Sequence, residues 1–117
     1  YTGDVTFVEL NTTEGEVGIY ARHIPMTMII APGVLTITEE DGTKKKAALL
    51  KGFVEVTETT MSILAEVAEW PEDIDVERAK KSEERARKRL ETKSADIDIA
   101  RAELALKRAL VRKGLKA

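Results

Sequence analysis

Backbone breakers stop abruptly in this chain. Six of its seven glycines (Gly3, Gly15, Gly18, Gly33, Gly42, Gly52) and all three prolines lie at or before residue 71, and Gly114 is three residues from the end. No helix of useful length fits among those glycines, whereas nothing between Glu72 and Lys113 interrupts one. Charge divides at the same place. Residues 1–71 carry five cations against eleven acids, net −6, and residues 72–117 carry fourteen against ten, net +4, although the whole chain stands at −2. Two unlike modules are expected, 1–70 and 71–117, meeting at Trp70–Pro71.

Several chemistries fall away at once. The chain has no cysteine, which removes disulfides, thiolate catalysis and Cys-built metal sites. The single histidine, His23, cannot build a His-rich metal cluster, and no motif sets a nucleophile or second base beside it, so neither a catalytic centre nor a metal site is expected. No run approaches the ~18 uncharged apolar residues of a membrane span, and no secretory signal is expected from the opening residues. Because the sequence starts at Tyr1, a preceding N-terminal stretch is expected.

The first module reads as strands. Asp4–Leu10, Met26–Ala31, Val34–Thr38, Lys45–Leu50, Phe53–Thr57 and Met61–Val67 are β-branched or apolar runs closed by turn residues such as Pro32-Gly33 and Lys51-Gly52. Phe53–Thr57 reads as a strand near a sheet edge or buried on both faces. Short strands with hairpin-length connections predict an antiparallel β-sandwich or barrel. Lys44-Lys45-Lys46, within an acidic module, reads as a solvated strand edge guarded by lysines.

The second module reads as two antiparallel helices, giving an α+β fold overall. Asp73 is the expected N-cap of the first helix, with Asp75 and Glu77 in its first turn. Val76, Ala79, Ala86 and Leu90 form a narrow stripe, Thr92-Lys93-Ser94 breaks it, and Ser94 or Asp96 caps the second helix. There Ile97, Ala100, Leu104 and Val111 share one side, with Ala102, Ala105, Leu106 and Ala109 beside them, and Gly114 is the expected stop. Alanine on both stripes permits close approach but buries little area at ~25 cal/mol per Å², so the hairpin needs a second surface.

Arginines supply the candidate site. At ~100° per residue, Asp75, Arg78, Ser82 and Arg85 share a sector of roughly 80°, and Arg101, Arg108 and Arg112 one of about 40°. With a pivot near residue 94, Asp75 and Arg78 face Arg108 and Arg112, and Arg85 lies a turn or two further along. Guanidinium forks around one gap suit a polyanion, because they match phosphate oxygens bidentately. Glu69 and Asp75 can accept from a ribose hydroxyl or a base amino group. The competing reading is a solvated face laced by i,i+4 pairs, Glu77/Lys81, Glu84/Lys88 and Glu103/Lys107. No P-loop occurs, so a nucleotide here acts as regulator and not as substrate.

A family resemblance runs through nearly the whole chain. Glu14-Gly15-Glu16-Val17-Gly18-Ile19, His23-Ile24-Pro25, Pro32-Gly33-Val34-Leu35, Gly52-Phe53-Val54-Glu55-Val56, Ile63-Leu64-Ala65 and Ala68-Glu69 stand in order. Ile74-Asp75-Val76-Glu77-Arg78-Ala79, Arg85-Ala86 and Arg101–Ala109 follow them. This ordered set resembles the epsilon subunit of the F-type ATP synthase, particularly that of Bacillus-like bacteria. Tyr20-Ala21-Arg22 and Lys51-Gly52 depart from the commoner Leu-Pro-Gly and Gly-Gly, and the family usually opens with one further strand.

The resemblance implies a non-catalytic, monomeric central-stalk subunit serving ATP synthesis and proton transport. It would lie peripherally on the cytoplasmic face of the bacterial membrane, without inserting. The sandwich would dock on the gamma subunit and the ring of c subunits. The hairpin would lie folded on the sandwich, or extend toward the alpha and beta subunits and block ATP hydrolysis. ATP binding to the folded hairpin would favour the non-inhibitory state, as a ligand shifts populations toward the state it binds better. The family's nucleotide motif maps onto Ile74, Asp75, Arg78 and Ala79, with Glu69, Arg85, Arg108 and Arg112 accompanying it; magnesium is left open. The other class of function in view is a stand-alone module whose basic hairpin binds nucleic acid, which a steep salt dependence of duplex binding would reveal.

Overall fold

A computed structural model describes residues 1–20, 24–92 and 98–116. Ala21, Arg22, His23, Lys93, Ser94, Asp96 and Ile97, invoked above, lie outside the described residues. Six antiparallel strands, β1 (Val5–Thr12), β2 (Gly15–Tyr20), β3 (Met26–Ile29), β4 (Gly33–Glu39), β5 (Lys44–Val56) and β6 (Met61–Glu69), precede a 3-10 turn at Pro71–Asp73. Two helices follow, α1 (Val76–Thr92) and α2 (Ile99–Lys116). The arrangement is the sandwich-like sheet and helix pair expected from the breaker pattern.

Strand β5 organises the sheet. It pairs with β4 through its first half and with β3 through its second, while β6 runs beside it from Ala48 to Val56. β1 lies between β4 and β2, completing the order β2-β1-β4-β5-β3. The Thr12–Ile30 bridge draws the β1 end toward β3.

Two sequence expectations need correction here. Lys51-Gly52 is not a hairpin turn: one strand passes through it, and the β5–β6 register slips there. Gly52 takes φ +142°, the conformation that absorbs such an irregularity. Phe53–Thr57 is neither at an edge nor buried on both faces, since β3 and β6 flank it and burial alternates strictly along Phe53, Val54, Glu55 and Val56. The strand Gly15–Tyr20 was not read from the sequence, because its glycines dilute the apolar alternation.

The slip at Gly52 changes which side of β5 faces which core. Before it, Leu49 joins Val8, Leu10, Ile19, Leu35 and Ile37 inside the sandwich, while Ala48 and Leu50 point the other way. After it, Val54 and Val56 point into the sandwich. A strand with period two would otherwise keep one parity throughout. The outward pair, Ala48 and Leu50, forms a second core with Ile74, flanked by Val67 and by Val111 and Leu115 of α2. That small floor is the surface on which the helices rest.

The helix boundaries shift from expectation for identifiable reasons. Asp75, not Asp73, caps α1: its Oδ1 accepts from Arg78 N at 3.1 Å, while Asp73 belongs to the 3-10 turn that Pro71 initiates. Asp98 caps α2 in the same way, accepting from Arg101 N at 3.1 Å. Gly114 does not stop α2, which continues to Lys116 with Leu115 packed on the floor. The buried stripe of α2 centres on Ala102 and Ala109, with Ala105, Leu106 and Val111 half-buried beside them, and Ala100 and Leu104 are exposed. α2 lies against β4, β5 and the 3-10 turn, whereas the main neighbour of α1 is α2.

Candidate functional site

Where α1, α2 and the end of β6 meet, they enclose a polar cleft of about 290 Å³ lined by Glu69, Asp73, Asp75, Arg78, Ala79, Ser82, Arg85 and Arg112. Each wall has a local cause. Glu69 pairs across the sheet with Ala48, and paired residues share a face, so its carboxylate stands on the side covered by the helices. Asp75, Arg78, Ser82 and Arg85 follow at helical spacing, and the buried Ala79 lets α2 come close behind them. Arg112 enters from α2, its Nε donating to Glu69 Oε1. An apolar recess of about 260 Å³ lies elsewhere, between β1, β2 and the Thr57–Thr60 turn, with none of these charges.

The cations in the cleft are unequally satisfied. Arg85 Nη2 reaches Ser82 Oγ at 3.2 Å, and among the described residues neither Arg78 nor Arg85 has a carboxylate within ion-pair distance. Two guanidinium forks therefore line an open polar space, where an anion with several oxygens gains charge-assisted hydrogen bonds. The three expected i,i+4 pairs do not form. Lys80 pairs with Glu77 at 3.7 Å and Arg87 with Glu83 at 3.0 Å, while Lys81, Glu84, Lys88, Glu103 and Lys107 stay exposed, where closing a pair gains little.

Other sequence candidates sit differently. Ile74 is buried beneath the helices among Ala48 and Leu50. Arg108 is half-buried, its Nε has no partner among the described residues, and it does not line the cleft. Arg101 is exposed at the start of α2. The reason lies in helix register. Lys113 Nζ meets Glu83 Oε2 at 3.0 Å, which centres the pairing near residue 98 rather than 94 and slides Arg108 toward the turn. Arg112 thereby comes level with Ser82 and Arg85.

Sequence reading missed Glu83. It occupies the seven-residue gap between Ala79 and Ala86 in the apolar stripe and is 9% exposed. Hydrogen bonds from Lys113 and then Arg87 hold its carboxyl below the usual carboxylate range, against the opposing effect of burial. A carboxyl depressed in the folded state contributes stability above its unfolded value and loses that contribution as pH falls through the folded value. Thermal melts should therefore show α1–α2 pairing weakening below about pH 4, through Glu83 protonation, and Glu83→Gln should flatten that limb of the profile.

Among the described residues, no group of acids and histidines has the geometry to hold a metal, and no helix is long and apolar enough to cross a membrane.

Two family models match the chain. Residues 1–71 match the model of the ATP synthase delta/epsilon chain β-sandwich domain, and residues 72–112 match that of its long α-helix domain. The ATP synthase epsilon chain of Halalkalibacterium halodurans is 48% identical over 110 residues, covering 93% of this chain and 82% of its own. That of Shouchella clausii is 48% identical over 112 residues, covering 96% and 82%. A chain of the Euglena gracilis mitochondrial ATP synthase, solved with OSCP, F1 and c-ring, superposes with a TM-score of 0.81 at 29% identity, covering 94% of this chain and 69% of that one. Two adjoining family models thus account for residues 1–112 in their proper order, and the chain belongs to the ATP synthase delta/epsilon chain family.

Proposed function

We propose that the chain is the epsilon subunit of a bacterial F-type ATP synthase and senses ATP through its helix pair. The observation that carries the sensing role is the cleft, in which Arg78 and Arg85 stand without carboxylate partners beside Arg112. A triphosphate matches the guanidinium forks, and Glu69, Asp73 and Asp75 are acceptors for a ribose or base amino group. Arg108, one turn from the cleft, completes the cluster if its unpartnered Nε turns inward. The subunit reading is supported by the epsilon chains named above and by the stalk assembly containing the Euglena chain.

In this reading the strands dock on gamma and the c-ring at the cytoplasmic face of the membrane. The helices close over β5 or extend toward alpha and beta, where they block hydrolysis. The cleft draws its arginines from both helices, so a ligand there binds the closed pair and biases the protein away from the extended, inhibitory form. The chain itself performs no chemistry.

Titration calorimetry with ATP, paired with thermal melts, tests the proposal. At ten times its dissociation constant, ATP should stabilise the closed form by about 1.4 kcal/mol, raising the melting midpoint by about 5 °C. Millimolar ATP that gives neither heat nor shift overturns the nucleotide role and leaves family membership intact.

A further inference from the structure

The two helices are joined by a charged contact that the cleft does not use. Glu83 sits inside the otherwise small-residue seam between α1 and α2, flanked by the buried Ala79 and Ala86. One carboxylate oxygen, Oε2, accepts from Lys113 Nζ of α2 at 3.0 Å. The other, Oε1, accepts from Arg87 of its own helix, from Nε at 3.2 Å and Nη2 at 3.0 Å. Among the described residues this is the one ion pair that bridges the helices.

The placement of this pair is unusual in energetic terms. Alanine seams bring helices close but specify register poorly, since one alanine resembles the next when the pair slides. A nearly buried carboxylate has no such tolerance, because a slip by one turn removes its cross-helix cation and leaves the charge uncompensated. The single best-attested use of a polar group in a helix interface is to fix register. Lys113 also directly follows Arg112, the cation that α2 contributes to the cleft.

We propose that Glu83 and Lys113 form an interhelical latch that fixes the register of the closed helix pair and positions Arg112 in the cleft. Neither residue touches the cleft. Arg87 is the holding arm: it keeps the carboxylate aligned along α1 but contributes nothing across the seam. The latch itself is independent of the nucleotide reading, and only its effect on ligand affinity rests on that reading.

The absence of cysteine allows clean spin labelling at two exposed sites, Lys81→Cys on α1 and Leu110→Cys on α2, in the 117-residue chain. Distance distributions measured by pulsed electron resonance report the closed pair as a narrow peak. Lys113→Met should lower the ratio of closed to open or slipped pairs about tenfold, the effect of a coupling near the middle of the range for contacting charges. Lys113→Arg should restore the narrow peak, and Arg87→Met should leave it in place while lowering helicity slightly. Circular dichroism separates slippage from helix loss, because the Glu83–Arg87 pair within α1 survives in Lys113→Met.

An unchanged distribution in Lys113→Met overturns the latch, as does equal broadening in Arg87→Met. ATP binding measured on the same variants divides the two proposals. Wild-type protein that binds no ATP but slips in Lys113→Met loses the sensor reading and keeps the latch. Wild-type binding that survives unweakened in a slipped Lys113→Met pair overturns the positioning of Arg112.

Discussion

Replacing Gly52 by valine is expected to cost about 3–5 kcal/mol, much of the stability a domain of this size possesses. Its φ of +142° is strained for any L side chain, and a Cβ built there falls 2.3 Å from the carbonyl oxygen of Leu64 and 2.9 Å from the Cα of Ala65. Both obstacles are backbone, so no side-chain rotation relieves them. The slip that Gly52 permits also sends Leu50 toward the helices and Val54 into the sandwich, so straightening β5 would turn one of these cores outward. Gly42→Ala is the matched control: φ is +88°, but nothing lies within 4 Å of its added Cβ. Urea unfolding should show a large loss for Gly52→Val and a small one for Gly42→Ala. Equal losses would mean that strain alone, and not the contact with β6, makes glycine necessary.

The second large effect concerns ligand binding. The double variant Arg78→Ala/Arg85→Ala removes both cleft guanidiniums that lack carboxylate partners, each able to give a triphosphate a hydrogen bond worth about 1.5–3 kcal/mol. Allowing for non-additivity, ATP should bind about 30- to 1,000-fold more weakly. Stability in the absence of ligand should change little, since both side chains are exposed and Asp75 caps the helix through the backbone of residue 78. Arg101→Ala, on the same helix as Arg112 but exposed at its start, should bind ATP as the parent does. Calorimetry on the three proteins decides. A double variant with parental affinity would place the nucleotide somewhere other than this cleft.

Much of the architecture was legible because its causes are local. Glycine and proline placement separates strand from helix, and spacing along α1 gathers Asp75, Arg78, Ser82 and Arg85 without reference to anything distant. What escaped depends on partners far away in the chain. The continuity of β5 through Gly52 is set by β6, and the same glycine in isolation signals a turn. Asp73 and Asp75 are equally good caps by sequence, and only the 3-10 turn begun by Pro71 decides between them. The helix pairing was misplaced by about two turns because its register is held by Glu83 and Lys113, thirty residues apart. That single offset explains why Arg112 lines the cleft while Arg108 does not. A lone carboxylate in an apolar stripe was the available signal, and it points to a cross-helix cation.

The layering of sheet, α2 and α1 has a consequence for the order of events. α2 is the middle course, bonded on both sides, whereas α1 is seated mainly on α2 alone. The seam between α1 and α2 is the more extensive of the two, so a helix pair that left the floor as one body would break only the smaller, inner seam. The cleft spans the outer seam, with Arg78 and Arg85 on one lip and Arg112 on the other. Glu69 at the end of β6 also lines that cleft, so a ligand lodged there would tie the outer helix to the sheet as well as to its partner helix.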